Sequence, residues 1–73
     1  MSKDQKAETK KLRSVQFLGE IRLFARPMRS VSENMHGIKS LSWDGQKVVV
    51  IGENDAEVWI GPAAIAAMEW KSV

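Results

Sequence analysis

The sequence of 73 residues contains no cysteine, no tyrosine and only one histidine. Without cysteine, neither a disulfide nor a cysteine-based zinc site can reinforce the fold. A disulfide-stapled secreted mini-protein is therefore not expected, and a reducing cytosol is compatible with this composition. No apolar run approaches the roughly 20 residues that a membrane-spanning helix requires. The charged N-terminus also lacks the apolar stretch that is typical of a signal peptide.

Groups that could carry out catalysis are equally scarce. His36 lies in a stretch rich in Ser, Asn and Gly, with no base or carboxylate at a spacing that indicates a pair, so we interpret it as a surface residue. Glu53, Asp55 and Glu57 alternate across a turn, but the glycine and distal glutamate of a calcium loop are missing. We therefore expect no enzymatic activity, no catalytic residue, no metal site and no cofactor.

Charge is distributed unevenly along the chain. Residues 1–29 hold eight Lys and Arg against three acidic residues, a net charge of +5, whereas residues 30–73 hold three against six, a net charge of −3. In a chain without catalytic groups, such an asymmetry indicates that function lies in contact surfaces. Residues 1–11 lack apolar periodicity, and we predict that they form a flexible basic tail before a single domain over residues 12–73.

The segment after this tail alternates apolar and polar residues, which predicts a strand over about residues 14–24. Gly19 lies in register with the apolar face and indicates a bulge or a close approach. Leu18 and Phe24 interrupt the alternation, and a short helix remains an alternative because apolar residues also recur at every third position. The apolar face of the predicted strand consists of Val15, Phe17, Ile21 and Leu23.

Residues 25–37 are expected to form a long loop, because they are rich in turn-forming residues. Pro27 removes a backbone donor and restricts Arg26 to extended conformations. Three strands are then predicted at about 38–43, 46–52 and 57–60. Asp44-Gly45 fits a two-residue type I′ turn between the first two. That turn pairs Trp43 with Gln46, Leu41 with Val48, and Lys39 with Val50.

A four-residue loop at 53–56 would place Trp59 opposite Val50, on the same side of the sheet as Trp43. Val58 and Ile60 would then join the reverse side, so that both faces are apolar and need cover. We accordingly expect the sheet to curl or to form a small barrel. Trp43 and Trp59 are predicted to pack in the core, whereas Trp70 could equally be a core or a contact residue.

Residues 62–70 are predicted to form a C-terminal helix. Pro62 suits the first helical position after Gly61, four alanines favour helix, and Ile65 with Met68 forms an apolar pair at helical spacing. The predicted fold class is therefore α+β: a small antiparallel sheet, a meander of three to four strands, closed by one C-terminal helix.

The positively charged N-terminal half supplies the candidate contact residues, because arginine binds carboxylates and phosphates alike. One interpretation is a protein partner with an acidic surface, and the other is direct binding to nucleic acid, which would weaken steeply with salt. The predicted partner-binding residues are Arg13, Val15, Phe17, Arg22, Phe24, Arg26 and Arg29.

Four segments resemble the small early regulators of lytic phages that infect plant-pathogenic xanthomonads and bind host RNA polymerase. The segments are KDQKAETKKLR, RSVQFLGEIRLFARP, LSWDGQKVVVIGEN and EVWIGPAAIAAMEW. The resemblance implies transcription inhibition at initiation by displacement of sigma factor, and antitermination at intrinsic terminators. The implied contacts are the N-terminal part of the β′ subunit and the flap of β, with nucleic acid nearby. It further implies host takeover without catalysis, by a protein that we expect to act as a monomer in the cytoplasm of the host cell.

Overall fold

A computed structural model describes residues 9–71, which fold into an antiparallel arrangement of six strands. These residues contain no α-helix and no helix that could cross a membrane. The predicted α+β class is therefore wrong, and the fold is all-β. The strands are β1 (Lys10–Leu23), β2 (Arg26–Ser32), β3 (Ile38–Trp43), β4 (Val48–Gly52), β5 (Glu57–Ile60) and β6 (Ile65–Trp70).

Strand β1 is 14 residues long and pairs with three other strands. Its first two residues, Lys10 and Lys11, pair with Trp43 and Ser42 of β3, and the sheet continues through β4 to β5. The rest of β1 pairs with β2 and with β6. Lys10 and Lys11, which were predicted to belong to the tail, are thus part of β1, and the rest of the predicted tail up to residue 8 lies outside the described residues.

The predicted helix at 62–70 is wrong, because only Pro62–Ala64 form a single 3-10 turn and the remainder is β6. Ile65 pairs with Phe17 and Met68 with Val15, so that both side chains face the core although they are three residues apart. A register shift at Ala66 makes this possible. Burial against β1 therefore overrides the helical propensity of the alanines in a segment too short to be stable alone.

Residues 26–32 of the predicted loop are instead strand β2. A two-residue turn at Phe24 and Ala25 joins it to β1, with φ angles of 49° and 66°, as a type I′ turn requires. Such turns usually contain Asn-Gly, so nothing in Phe-Ala signalled this hairpin. The ring of Phe24 packs at Gly52 of β4, where an added Cβ would lie 3.1 Å from its Cζ atom. This contact brings the β1–β2 turn onto β4, which is two strands away from β1 in the sheet order.

Gly19 marks a bulge, as predicted, since the β1–β2 register changes between Gln16, which pairs with Ser30, and Ile21, which pairs with Met28. Four residues of β1 therefore lie opposite Arg29 alone. Within residues 9–71, no atom beyond its chain neighbours would lie within 4 Å of a Cβ at Gly19, so no close approach inside the described fold requires the glycine.

The predicted turn at Asp44-Gly45 is two residues too short. Trp43 pairs with Val48 and Leu41 with Val50, so Asp44–Lys47 form a four-residue connection, with Gly45 at φ 101°. The Asp44 carboxylate accepts the N–H groups of Gln46 and Lys47, each at 2.9 Å, which fixes this wider turn. Because the register shifts by two residues, Leu41, Trp43, Val48 and Val50 keep their predicted face. A further register shift between Ile38 and Ser40 puts Ile38 in the core and leaves Lys39 exposed, against the predicted pair of Lys39 with Val50.

The predicted register between β4 and β5 is wrong by one residue. Gly52 donates its N–H to the carbonyl of Ala56, enclosing a loop of three residues that ends with Asp55 at φ 67°. Trp59 therefore pairs with Val49 and lies on the outer face. A slip of one residue inverts a strand, so the predicted core position of Trp59 is lost.

A single core unites the first five strands and is covered in part by β6. Trp43 is half-buried and packs against this core, as predicted, whereas Trp59 is 65% exposed and Trp70 47% exposed. The buried apolar residues are Leu12, Val15, Phe17, Leu23, Val31, Ile38, Leu41, Val48, Val50 and Ile60.

The contact between Phe24 and Gly52 can be tested with Gly52→Ala. The new methyl group would meet three atoms of the Phe24 ring at 3.1 to 3.4 Å, so the ring would have to move by a few tenths of an ångström. We expect the free energy of unfolding to fall by about 1–3 kcal/mol in chemical denaturation. Gly61→Ala is the matched control, because a Cβ there meets no atom within 4 Å. Equal stability of the two variants would contradict the proposed packing.

Candidate protein-binding surface

Two of the seven predicted partner-binding residues are unavailable to a partner. Val15 has no exposed surface and Phe17 is 6% exposed, because both side chains point into the core from β1. Phe24 is half-buried against Gly52. Val15 and Phe17 therefore belong to the core that so small a domain needs, whereas the exposed part of Phe24 keeps it among the predicted contact residues.

Three of the four predicted arginines lie on the β1–β2 hairpin, where Arg22 and Arg26 belong to adjacent strand pairs and project to opposite faces. Arg22 pairs with Pro27 across the two strands, Arg26 pairs with Leu23 beside the turn, and Arg29 lies opposite the bulge. Residues 21–32 contain these three arginines and no acidic residue, and we call this segment the basic hairpin. All three arginines are exposed.

The arginines of the basic hairpin have no salt-bridge partner among residues 9–71. Arg13, by contrast, lies outside the hairpin, 4.0 Å from the carboxylate of Glu69. Guanidinium groups without a carboxylate partner can form bidentate hydrogen bonds with an incoming carboxylate or phosphate. The basic hairpin is therefore the part of the predicted site that the fold leaves ready for an anionic partner.

Leu18 is an apolar residue on this surface that sequence reasoning missed. It lies in the bulge of β1 and is 69% exposed, the highest value among the large hydrophobic residues described. Its interruption of the alternation was the available signal. Leu18 lies in the bulge opposite Arg29, where its exposed apolar surface could be buried by a protein partner.

Strand β2 forms an edge of the sheet, since it pairs only with β1 in the described chain. Pro27 has no N–H with which to bond an added strand. The basic hairpin consequently offers a partner side chains more readily than a backbone ladder.

A second cluster surrounds Trp59 on the outer face of the sheet. The Lys47 ammonium lies 4.6 Å from the centroid of the Trp59 ring and 2.6 Å from the carboxylate of Asp44. The indole N–H of Trp59 donates to the carboxylate of Glu57. The hydrogen bond from Lys47 lowers the pKa of Asp44 from 3.8 to about 2, and the N–H groups of Gln46 and Lys47 contribute.

No group of three or more potential metal ligands occurs within residues 9–71. The predicted solvated turn agrees with the structure, because Glu53, Asp55 and Glu57 are all exposed. Asp55 accepts a hydrogen bond from Lys39 at 2.6 Å. His36 is exposed in the connection between β2 and β3, as predicted.

Acid should weaken the turn that Asp44 organises. A carboxyl group with a lowered pKa stabilises the fold fully above its unfolded pKa, so its contribution should disappear as the pH falls from about 4 to about 2. We expect Asp44→Asn to be less stable than the parent at neutral pH and this difference to shrink in urea denaturation toward pH 2. Lys47→Met should also flatten the dependence on pH. A difference that stays constant down to pH 2 would exclude this role.

Comparison of the chain with protein-family models, with curated proteins and with solved structures finds no match.

Proposed function

We propose that this chain is a non-enzymatic regulator that binds bacterial RNA polymerase through its basic hairpin. The observation that carries the proposal is the set of three exposed arginines on a segment without acidic residues or described ion-pair partners. The resemblance to xanthomonad-phage regulators supplies the partner. The N-terminal part of β′ and the flap of β are the proposed contacts, in the cytoplasm of the host cell.

The proposed mechanism is a shift between two states of the polymerase. A bound protein displaces sigma factor if it binds more tightly to polymerase without sigma than to polymerase with sigma. Only this difference in affinity shifts the equilibrium between the two states. A coupling of about 1–3 kcal/mol corresponds to a change of roughly 5- to 150-fold in sigma affinity. The same bound protein would favour read-through of intrinsic terminators without any chemical step.

Direct binding to single-stranded nucleic acid is the second candidate function. The observation that favours it is the exposed indole of Trp70, with the Lys10 ammonium 5.9 Å from its ring centroid. Aromatic rings beside cations are typical stacking platforms for bases. Lys11 and Lys71, both exposed, lie close by along the backbone, where the N–H of Lys71 donates to the carbonyl of Lys11.

Charge reversal at two ends of the molecule separates these functions. Arg22→Glu combined with Arg29→Glu should weaken binding to purified polymerase at least about tenfold, because it replaces attraction by repulsion at the contact. Lys10→Glu combined with Lys11→Glu changes the net charge equally and should have a much smaller effect. Binding would be measured by fluorescence anisotropy at moderate salt, and circular dichroism would verify the fold of each variant.

The proposal fails if the arginine variant binds polymerase as tightly as the parent protein. The nucleic-acid alternative predicts the reverse order of the two variants. It also predicts tight binding to an oligonucleotide in the absence of polymerase, with an affinity that decreases steeply as salt is raised.

A further inference from the structure

We propose that Trp59 is the anchor of a second binding surface, whose partner is a basic amphipathic protein segment. The polymerase proposal does not use this surface. We define the Trp59 surface by Trp59 and Glu57 of β5 and by Val49 and Ile51 of β4. The register pairs Val49 with Trp59 and Ile51 with Glu57, and directly opposite residues in antiparallel strands project to the same face.

The fold leaves Trp59 outside the core. Its neighbours Val58 and Ile60 supply the core contacts of β5, while Trp59 itself is 65% exposed. Val49 and Ile51 beside it are only half-buried. An apolar strip thus crosses two strands on the outer face, and no described element covers it fully. Exposed tryptophan is among the residues most enriched in the energetic centres of interfaces.

Trp59 is also held in position before any partner arrives. Lys47 lies over its ring at 4.6 Å, and the indole N–H is bonded to Glu57. Lys47 is itself fixed by Asp44, whose carboxylate accepts two backbone N–H groups of the turn. A side chain restrained in this way loses little conformational entropy on binding, so that more of its contact energy appears as affinity.

The charges around Trp59 indicate the chemistry of the partner. Lys47 is neutralised by Asp44 and Lys39 by Asp55. Glu53 and Glu57 take part in none of the salt bridges within residues 9–71. The end of the apolar strip beside the loop at 53–55 is therefore acidic, which favours Lys or Arg on the partner and disfavours a phosphate backbone there. Lys11 lies on the same face at the other side of the strip, because it pairs with Ser42, which in turn pairs with Val49. In an amphipathic segment with apolar residues flanked by arginines, the apolar residues can contact the strip and the arginines can contact the acidic residues beside it.

A defined peptide provides the test. The probe is a synthetic 15-residue peptide with leucines on one face of a helix and arginines on the flanking positions. It is titrated into the full ¹⁵N-labelled chain. The readout is the indole N–H signal of Trp59, assigned with Trp59→Phe, together with the amide signals of Val49 and Ile51. We expect these signals to shift with the peptide and to stay in place with a matched peptide in which glutamate replaces arginine.

Variants make the test specific. Trp59→Ser should weaken binding of the arginine peptide at least about tenfold, the effect of truncating a central interface residue. Trp70→Ser is the matched control and should leave the affinity unchanged. Glu57→Gln should weaken binding more at low salt than at high salt, because it removes an acidic group beside the strip.

Three results would overturn this inference. One is an unchanged Trp59 signal with the arginine peptide, and another is an equal response to the glutamate peptide or to a (dT)₁₂ oligonucleotide. The third is a shift of the same signals on dilution of the chain alone, which would assign the surface to a second copy. None of these results bears on polymerase binding by the basic hairpin, so the two proposals fail independently.

Discussion

The pairing of β1 with three other strands is the interaction on which the rest of the structure depends. Its two ends belong to different parts of the sheet, because Lys10 and Lys11 pair with β3 while the remainder pairs with β2 and β6. The same strand contributes four buried apolar side chains to the core. A chain without disulfides must stabilise its core by packing, and here one long strand pairs with three of the others.

Alternation along β1 predicted both its existence and its buried face, and Gly19 correctly predicted the bulge. The same reasoning failed for β6, because the register shift at Ala66 places Ile65 and Met68 on one face at a spacing that is also typical of a helix. It failed for β2 because the preceding turn uses residues that rarely adopt positive φ. Trp59 lies on the outer face, and not in the core as predicted, because the loop before β5 is one residue shorter than expected from the sequence. Each failure concerns tertiary context or turn geometry, to which local patterns are least sensitive.

The candidate site was predictable where it depends on charge. Composition alone located the arginines in the N-terminal half, and the fold then gathered three of them on one hairpin. The sequence pattern could not distinguish Val15 and Phe17, which are buried in the core, from Leu18, which the bulge exposes. An all-β fold of this size is compatible with many activities, so function must be argued from these surfaces rather than from the architecture.

The conformation of the turn at Phe24 and Ala25 depends on a strand that is distant along the chain. Two non-glycine residues at positive φ are unfavourable by themselves, and the ring of Phe24 gains its packing only when β4 supplies Gly52. The spacing of the arginines therefore depends on contacts of the hairpin with β4. A peptide excised from residues 13–32 would keep every guanidinium group but lose the support that orders them. The geometry of the basic hairpin thus depends on the folding of the whole domain.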